Sequence, residues 1–330
     1  MKTLEKPICL NPSLRPPKKE NQRYIIEGAL GKGGLGVVSR GHDTKLDRKV
    51  AIKRLRLEHV DNSIPPDTLL REALMLASLN HPNIVSVYDF YEEDREICIV
   101  MELLEGKSLD HSCGESKFTM EQFSELVQQT LEALLAAYSA NIVHGDIKPQ
   151  NIVKIDNPHG RDQYKLLDFD QSHFVDTKIS PASAHSTYGS IYYMAPELFE
   201  GTAPTHASDI YSMGAVYYHA LTGQHPCQGN TTIEIMAAHL RHDIIPLNEL
   251  RPDLPEWLGQ WVHWLLSRKP TERPRPPRAV KEFLHSSTPA PQQLLPDTLK
   301  RSANTGSDLN MTAGTLIKTI KSDNLTHAQA

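Results

Sequence analysis

The chain has 330 residues, which is enough for one large domain or two modest ones. A hydrophobic content of 39% can bury a sizeable core, and a formal net charge of -5 does not suggest a nucleic-acid-binding protein, which would need a strongly basic stripe. The four cysteines form no Cys-x-x-Cys pair, and no apolar run approaches the ~20 residues of a membrane-spanning helix, so we expect a cytoplasmic protein without an integral membrane segment.

The two ends of the chain differ in composition from its middle. Residues 1–23 are rich in proline and lysine, and we interpret them as a disordered arm. Residues 287–330 are rich in Ser, Thr, Pro, Gln and Asn, and we interpret them as a mostly disordered tail. The folded part is therefore expected to span residues 24–286.

The first third of this folded part, up to about Leu104, favours β-structure. Apolar and β-branched runs between turn residues predict five strands. These lie near Tyr24–Ile26, Val37–Val38, Lys49–Lys53, Val85–Phe90 and Ile97–Met101. The apolar spacing of Thr68–Leu79 predicts one helix between the third and fourth strands.

From Lys107 onward the apolar spacing becomes helical. Thr119 and Gln122 form a capping box before a long apolar helix. Further helices are predicted over Asp209–Leu221 and Trp257–Leu266. The change near residue 105 indicates a boundary between a β-rich lobe and a helical lobe.

A cluster of glycines follows the first predicted strand. The sequence from Gly31 to Val38 fits Gly-x-Gly-x-x-Gly-x-Val, and glycines let backbone N–H groups approach phosphate oxygens closely. A dinucleotide-binding loop would require a helix after the glycines, whereas a β-prone run follows here. A glycine-rich hairpin with no ligand is the alternative.

Three further clusters carry polar groups suited to phosphate chemistry. Lys53 ends a short apolar strand, where its ammonium group could meet a nucleotide's phosphates, and Glu72 could hold it extended. The loop His144–Asn151 supplies a carboxylate, an ammonium group and an amide within a few residues. Asp168 follows an apolar strand and is a natural magnesium ligand, or else an ordinary turn carboxylate.

In this order the clusters resemble the protein kinase family over residues 24–285. The resemblance implies an α+β, bilobal protein kinase fold. Its N-lobe, residues 24–104, would hold a small five-stranded β-sheet with one main helix, and its C-lobe, residues 105–286, would be larger and helical. ATP and Mg²⁺, or Mn²⁺ in its place, would bind between the lobes.

The resemblance also implies roles for individual residues. The catalytic group would comprise Asp146 as the base, Lys148 at the γ-phosphate, Lys53 at the other phosphates and Glu72 orienting Lys53. The metal would be held by Asn151 and Asp168. The nucleotide would be bound by the glycine loop, the strand faces and the hinge, namely Leu30, Gly31, Lys32, Gly33, Gly34, Gly36, Val38, Ala51, Lys53, Met101, Glu102, Leu103 and Val153.

Other positions narrow the resemblance to serine/threonine kinases of the bacterial Hanks type. Lys148, two residues after Asp146, and Ser190 follow the serine/threonine pattern, so protein substrates with Ser or Thr acceptors are expected, including other copies of the chain. The resemblance implies a pair between Glu197 and Arg273. It also implies that Asp209 anchors the catalytic loop.

Two motif positions depart from the family. The catalytic loop contains His-Gly-Asp where most members have His-Arg-Asp, and the metal motif is Asp-Phe-Asp where they have Asp-Phe-Gly. Both departures resemble aminoglycoside and choline kinases, so a small-molecule phosphotransferase is one alternative. The other alternative is a pseudokinase scaffold, although the expected lysine, acids and amide are all present.

Overall fold

The computed structural model describes residues 23–32, 36–56, 79–93, 96–115, 117–168, 173–174 and 190–274. All of these residues belong to one unit, Met1–His285. The predicted arm up to residue 22, the tail from 287 and the helix predicted from residue 68, apart from its last residue, lie outside the described residues.

Five antiparallel strands form the N-terminal sheet, as predicted. They are β1 (Tyr24–Lys32), β2 (Gly36–Asp43), β3 (Arg48–Arg56), β4 (Val87–Glu93) and β5 (Glu96–Glu102). Their order in the sheet is β1-β2-β3-β5-β4, so β3 lies at the centre.

Side chains alternate between the two faces of β3, as in any strand. Val50 and Ile52 are fully buried and pack with Cys98, Val100 and Tyr24 in the core of the sheet. The residues of β3 that alternate with these two therefore point to the other face, where a polar side chain is tolerated if it has a hydrogen-bond or charged partner.

The fourth strand begins two residues later than the sequence predicted. Ile84 forms a parallel bridge with Leu166, and the Val85 N–H donates to the Leu166 carbonyl oxygen at 3.0 Å. The predicted start of the strand is wrong because these backbone groups bond to a different sheet, and β4 pairs with β5 only from Val87 onward.

The rest of the described chain is mainly helical and carries several short strands. The helices are α1 (Leu109–Glu115), α2 (Met120–Ser139), α3 (Pro196–Phe199), α4 (His206–Thr222), α5 (Thr232–Arg241), α6 (Leu247–Leu250) and α7 (Glu256–Leu265). The strands are β6 (Lys107–Ser108), β7 (Ile142–Val143), β8 (Ile152–Ile155), β9 (Gln163–Leu166) and β10 (His173–Phe174). They form a three-stranded sheet, β6-β8-β9, and a two-stranded sheet, β10-β7.

The predicted capping box at the start of α2 is confirmed. The Thr119 hydroxyl accepts from the Gln122 N–H at 3.3 Å, and the Gln122 side chain accepts from the Thr119 N–H at 3.0 Å. Helix α4 is buried along most of its length, and Tyr217 of α4 stacks on Trp261 of α7, so these two helices form the centre of the helical part. Across the described residues, no helix is both long and apolar enough to cross a bilayer.

Candidate active site

The loop between β7 and β8 is fixed by a buried carboxylate of α4. The backbone N–H groups of His144 and Gly145 donate to the two carboxylate oxygens of Asp209, at 2.8 and 2.9 Å. Burial raises the pKa of Asp209, while these two backbone amides act in the opposite direction. The predicted contact between Asp209 and the loop is confirmed.

The backbone of this loop favours a glycine at one position. Gly145 has φ +80°, a conformation in which a Cβ atom would be strained. The residue that departs from the common family pattern is therefore the one best suited to the backbone observed here.

Asp146 lies at the centre of a group of hydrogen-bond donors. Its carboxylate accepts from the Lys148 ammonium group at 2.6 Å, from the Asn151 amide at 3.1 Å and from the Ser190 hydroxyl at 3.0 Å. Lys148 also donates to Ser190 Oγ at 3.0 Å. These bonds hold a charged acid and a cation together at one point of the loop.

The His144 ring connects the loop to the chain just before Asp168. The ring is fully buried, and its Nδ1 atom accepts from the Asp146 N–H at 3.3 Å. The proton must then lie on Nε2, which donates to the Leu167 carbonyl oxygen at 2.9 Å. The ring therefore bridges the backbones on either side of the site.

Lys53 and Asp168 form an ion pair between the N-terminal sheet and the helical part. Only 7% of Lys53 is exposed, so its ammonium group has been removed from bulk water and benefits from a carboxylate partner. Asp168 has φ +62°, a left-handed conformation that is uncommon outside glycine and that often occurs at functional sites.

The sheet face that carries Lys53 also carries other residues predicted to bind the nucleotide. Val38 pairs with Gly31 on one side and with Lys53 on the other, while Ala51 pairs with Met101. Directly paired residues share a face, and so do alternate residues of a strand. These side chains are thus collected on the face opposite the apolar core of the sheet.

Of the remaining residues predicted to contact the nucleotide, some belong to the described part of the chain and others do not. Leu30 is exposed near the end of β1, and a Cβ atom on Gly36 would overlap the Arg54 carbonyl oxygen, so that glycine is required for close strand packing. Glu102 and Leu103 are half-buried at the end of β5. The predictions for Gly33, Gly34 and Glu72 and for the side chain of Lys32 lie outside the described residues.

The donor atoms suit a magnesium ion bound together with a phosphate ligand. Within the described ranges, no three His, Cys, Asp or Glu side chains come together as a metal site. Mg²⁺ prefers oxygen ligands and is commonly held by one or two carboxylates together with substrate phosphates. Asp168 and Asn151 offer a carboxylate and an amide oxygen, and the Asn151 amide nitrogen is already bonded to Asp146, which fixes its side chain.

The predicted pair between Glu197 and Arg273 is also confirmed. The guanidinium group donates to both carboxylate oxygens, at 2.6 and 2.8 Å. Arg273 is 3% exposed and donates further to the backbone carbonyl oxygens of Ala207, Ser267 and Arg268. This fully bonded pair fixes α3 against the start of α4 and the chain after α7.

Two contacts at the site were not among the predicted site residues. Ser190 was recognised as a class marker, but its bonds to both Asp146 and Lys148 were not foreseen. Lys165 donates to both carboxylate oxygens of Glu102, at 2.9 and 2.7 Å. The available signal was a single lysine within the otherwise apolar run before Asp168.

Comparison with known proteins agrees with this arrangement. The protein kinase domain family matches residues 24–285. The probable serine/threonine-protein kinase PknB of Lactococcus lactis is 33% identical over 73% of the chain and 38% of its own length. The serine/threonine-protein kinase PrkC of Bacillus subtilis is 35% identical over 78% of the chain and 39% of its own length.

A third relative, the serine/threonine-protein kinase PknA of Mycobacterium tuberculosis, is 33% identical over 77% of the chain and 58% of its own length. The chain therefore spans less than two thirds of each of these three relatives.

Proposed function

Because the chain belongs to the protein kinase family, we propose that it is a serine/threonine kinase that transfers the γ-phosphoryl group of ATP to protein hydroxyls. The observation that carries this proposal is the set of donors around the Asp146 carboxylate. Lys148 and Asn151 donate to it from the same loop, and Ser190 donates to it from a distant segment of the chain. The names of the bacterial relatives support the substrate class.

In the proposed mechanism, Asp146 accepts the proton of the substrate hydroxyl as the oxygen attacks phosphorus. The Asn151 amide and the Ser190 hydroxyl orient that carboxylate before the substrate arrives. Lys148 lies beside Asp146 and places a positive charge where negative charge develops on the moving phosphoryl group.

Lys53 provides the corresponding positive charge from the sheet. Its buried ammonium group would exchange part of its contact with Asp168 for phosphate oxygens of the nucleotide. Asp168 and Asn151 would hold magnesium, and when bound the ion neutralises charge on the phosphate oxygens. The proposed adenine surface consists of the sheet face with Val38, Ala51 and Met101, completed by Val153 from β8.

The test is incubation of the purified chain with magnesium and radiolabelled ATP, in the presence of generic protein substrates, aminoglycosides and choline. We expect label on Ser or Thr residues of protein, as located by mass spectrometry. Asp146→Asn should lower the rate by about 10²- to 10⁴-fold, which is the usual contribution of a positioned base.

Asp156→Asn is the matched control, since Asp156 is an exposed acid that follows β8 and pairs with Lys154. It should retain the wild-type rate. Label on an aminoglycoside or choline instead of protein would favour the small-molecule alternative. Nucleotide binding without transfer to any acceptor would favour a scaffold, and an unchanged rate in Asp146→Asn would refute the role of that carboxylate.

A further inference from the structure

An ion pair outside the cluster around Asp146 joins β9 to the end of β5. Lys165 donates to both carboxylate oxygens of Glu102. The lysine side chain is only 8% exposed and the glutamate side chain 25%, so this pair is not an ordinary surface contact. Removing one partner of such a pair is costly, because the charge of the other partner would then be poorly solvated.

The glutamate is held in place by neighbouring backbone as well. Its own N–H donates to the Ser86 carbonyl oxygen at 2.9 Å, and its carboxylate accepts from the Ser86 N–H at 3.3 Å. Glu102 is thus fixed to the chain that enters β4, and Lys165 is bonded to a carboxylate with a defined position.

The lysine lies three residues before Asp168, on a strand whose end is fixed by backbone bonds. Leu166 donates to the Asn83 carbonyl oxygen at 2.9 Å, and the Leu167 N–H donates to the Asn151 carbonyl oxygen at 2.8 Å. A displacement of β9 at Lys165 is therefore transmitted to the backbone that presents Asp168 and to the backbone of Asn151.

The face of the β8–β9 ladder relates this pair to the nucleotide surface. Lys165 is directly opposite Val153 in the antiparallel register, so the two side chains lie on the same face. Val153 belongs to the proposed adenine surface. The Lys165 end of the ion pair thus lies beside Val153, whereas Glu102 is paired with Val50 and extends its carboxylate from the core face of the sheet. The pair therefore joins the strand that ends in Glu102 to the strand that leads to Asp168.

We propose that Lys165 is a positioning residue: its ion pair with Glu102 fixes the spacing between the adenine-binding end of β5 and the metal-binding Asp168. The inference rests on the proposed function, since it takes the nucleotide to contact both places at once. A ligand that spans them benefits from the fixed spacing, whereas a ligand that binds the adenine surface without reaching Asp168 does not.

The test is calorimetric binding of two ligands to the full chain: a non-hydrolysable ATP analogue with magnesium, and adenosine without metal. Lys165→Met should weaken binding of the magnesium analogue by about 10-fold, as is typical when a group that orients a ligand-binding residue is lost. Binding of adenosine should weaken less. Lys165→Arg, which keeps a donor for the carboxylate, should restore most of the affinity for the analogue.

Lys154→Met is the matched control. Lys154 lies on the adjacent strand β8, is largely buried and pairs with Asp156 and Asp162. Its removal should leave the ratio of the two affinities unchanged. If Lys165→Met does not fold, as judged by circular dichroism, Glu102→Gln decides the question, because the amide retains the acceptor for Ser86 and loses only the charge.

The inference is overturned if the variant that folds binds the magnesium analogue as tightly as the wild type, or weakens both ligands equally. Because binding needs no phosphoryl transfer, this result is distinct from failure of the proposed function. A wild-type chain that binds the analogue without transferring phosphate would leave the positioning role intact, and one that binds no analogue would overturn both.

Discussion

The catalytic loop and the nucleotide-binding face of the sheet are constructed by different means. The loop is fixed through its backbone, because His144 and Gly145 donate to the buried Asp209 and the His144 ring bonds to Leu167. On the sheet, the backbone ladder fixes only the Cα atom of Lys53. Its charged group reaches Asp168 at the end of a flexible aliphatic chain.

Because of this difference, we expect substitutions in the two regions to affect stability and reaction rate differently. A change at the loop's anchor breaks buried backbone bonds and should lower the stability of the fold along with the rate. A change at the end of the Lys53 side chain leaves the ladder intact and should lower the rate with little effect on stability. The predictions below test this separation.

Among the substitutions that test this separation, the largest effect is expected at Lys53. Lys53→Met should lower kcat/KM by about 10²- to 10³-fold, which is the usual cost of removing one preorganised charge-stabilising donor. The melting temperature should change little, because methionine fills the space of the lysine stem and the Asp168 side chain, which loses this ion pair, is 39% exposed and can be hydrated. Steady-state kinetics with varied MgATP and a thermal melt measure the two quantities.

Lys49→Met on the same strand is the control for this variant. Lys49 has a side chain that is 60% exposed and only a loose pair with Glu105 at 3.8 Å, so its loss should alter neither quantity. A Lys53→Met protein that keeps its turnover would contradict the assignment. One that loses its fold would contradict the proposed difference between the sheet and the loop.

The sequence predicted much of this arrangement because it is encoded locally. Apolar and β-branched runs between turn residues located the sheet, and Thr119 with Gln122 located the start of the long helix α2. The order of the motifs predicted that Asp146, Asn151 and Asp168 lie in one region. Each of them is close in sequence to a short strand or turn that fixes its position.

What the sequence did not predict depends on contacts between distant segments. The strands β6 to β10 are two to four residues long, too short to show a period, and they form because partner strands are adjacent in space. The bonds of Ser190 to Asp146 and of Lys165 to Glu102 likewise join segments separated by 44 and 63 residues. The left-handed backbone at Asp168 has no local sequence signal.

A smaller effect, this time on stability, is expected at Asp209, the buried carboxylate that anchors the catalytic loop. Asp209→Asn keeps one acceptor oxygen and replaces the other with an NH₂ donor, so one of the two loop amides loses its partner. An unsatisfied buried amide should lower the free energy of unfolding by about 1–3 kcal/mol. Urea unfolding followed by circular dichroism measures this change.

Asp243→Asn provides the comparison, since Asp243 is a carboxylate just after α5 that pairs at the surface with Arg241 and is 53% exposed. The Asp243→Asn variant should have the same midpoint of urea unfolding as the wild type. If Asp209→Asn were as stable as Asp243→Asn, the loop would not depend on its buried anchor, and the contrast with Lys53 would disappear.

The effect that is smallest near neutral pH concerns buried bases of the helical part, away from both regions. Burial lowers the pKa of His239 to about 4, well below the value of about 6.5 that a histidine has in the unfolded chain. Between these two values the unfolded chain holds more protons than the folded one. The free energy of unfolding should therefore fall as pH decreases from about 6.5 to about 4, by at most about 1.4 kcal/mol per pH unit for this residue.

His239→Gln retains an acceptor for the Tyr211 hydroxyl, which contacts His239 Nδ1 at 2.8 Å, and removes the titrating group. Urea unfolding at several pH values should show a shallower slope for this variant. A residual slope should remain because burial also lowers the pKa values of His225 and His263 to about 4. His159→Gln, in an exposed loop, should keep the wild-type slope, and identical slopes for all three proteins would show that His239 does not set the acid limit of the fold.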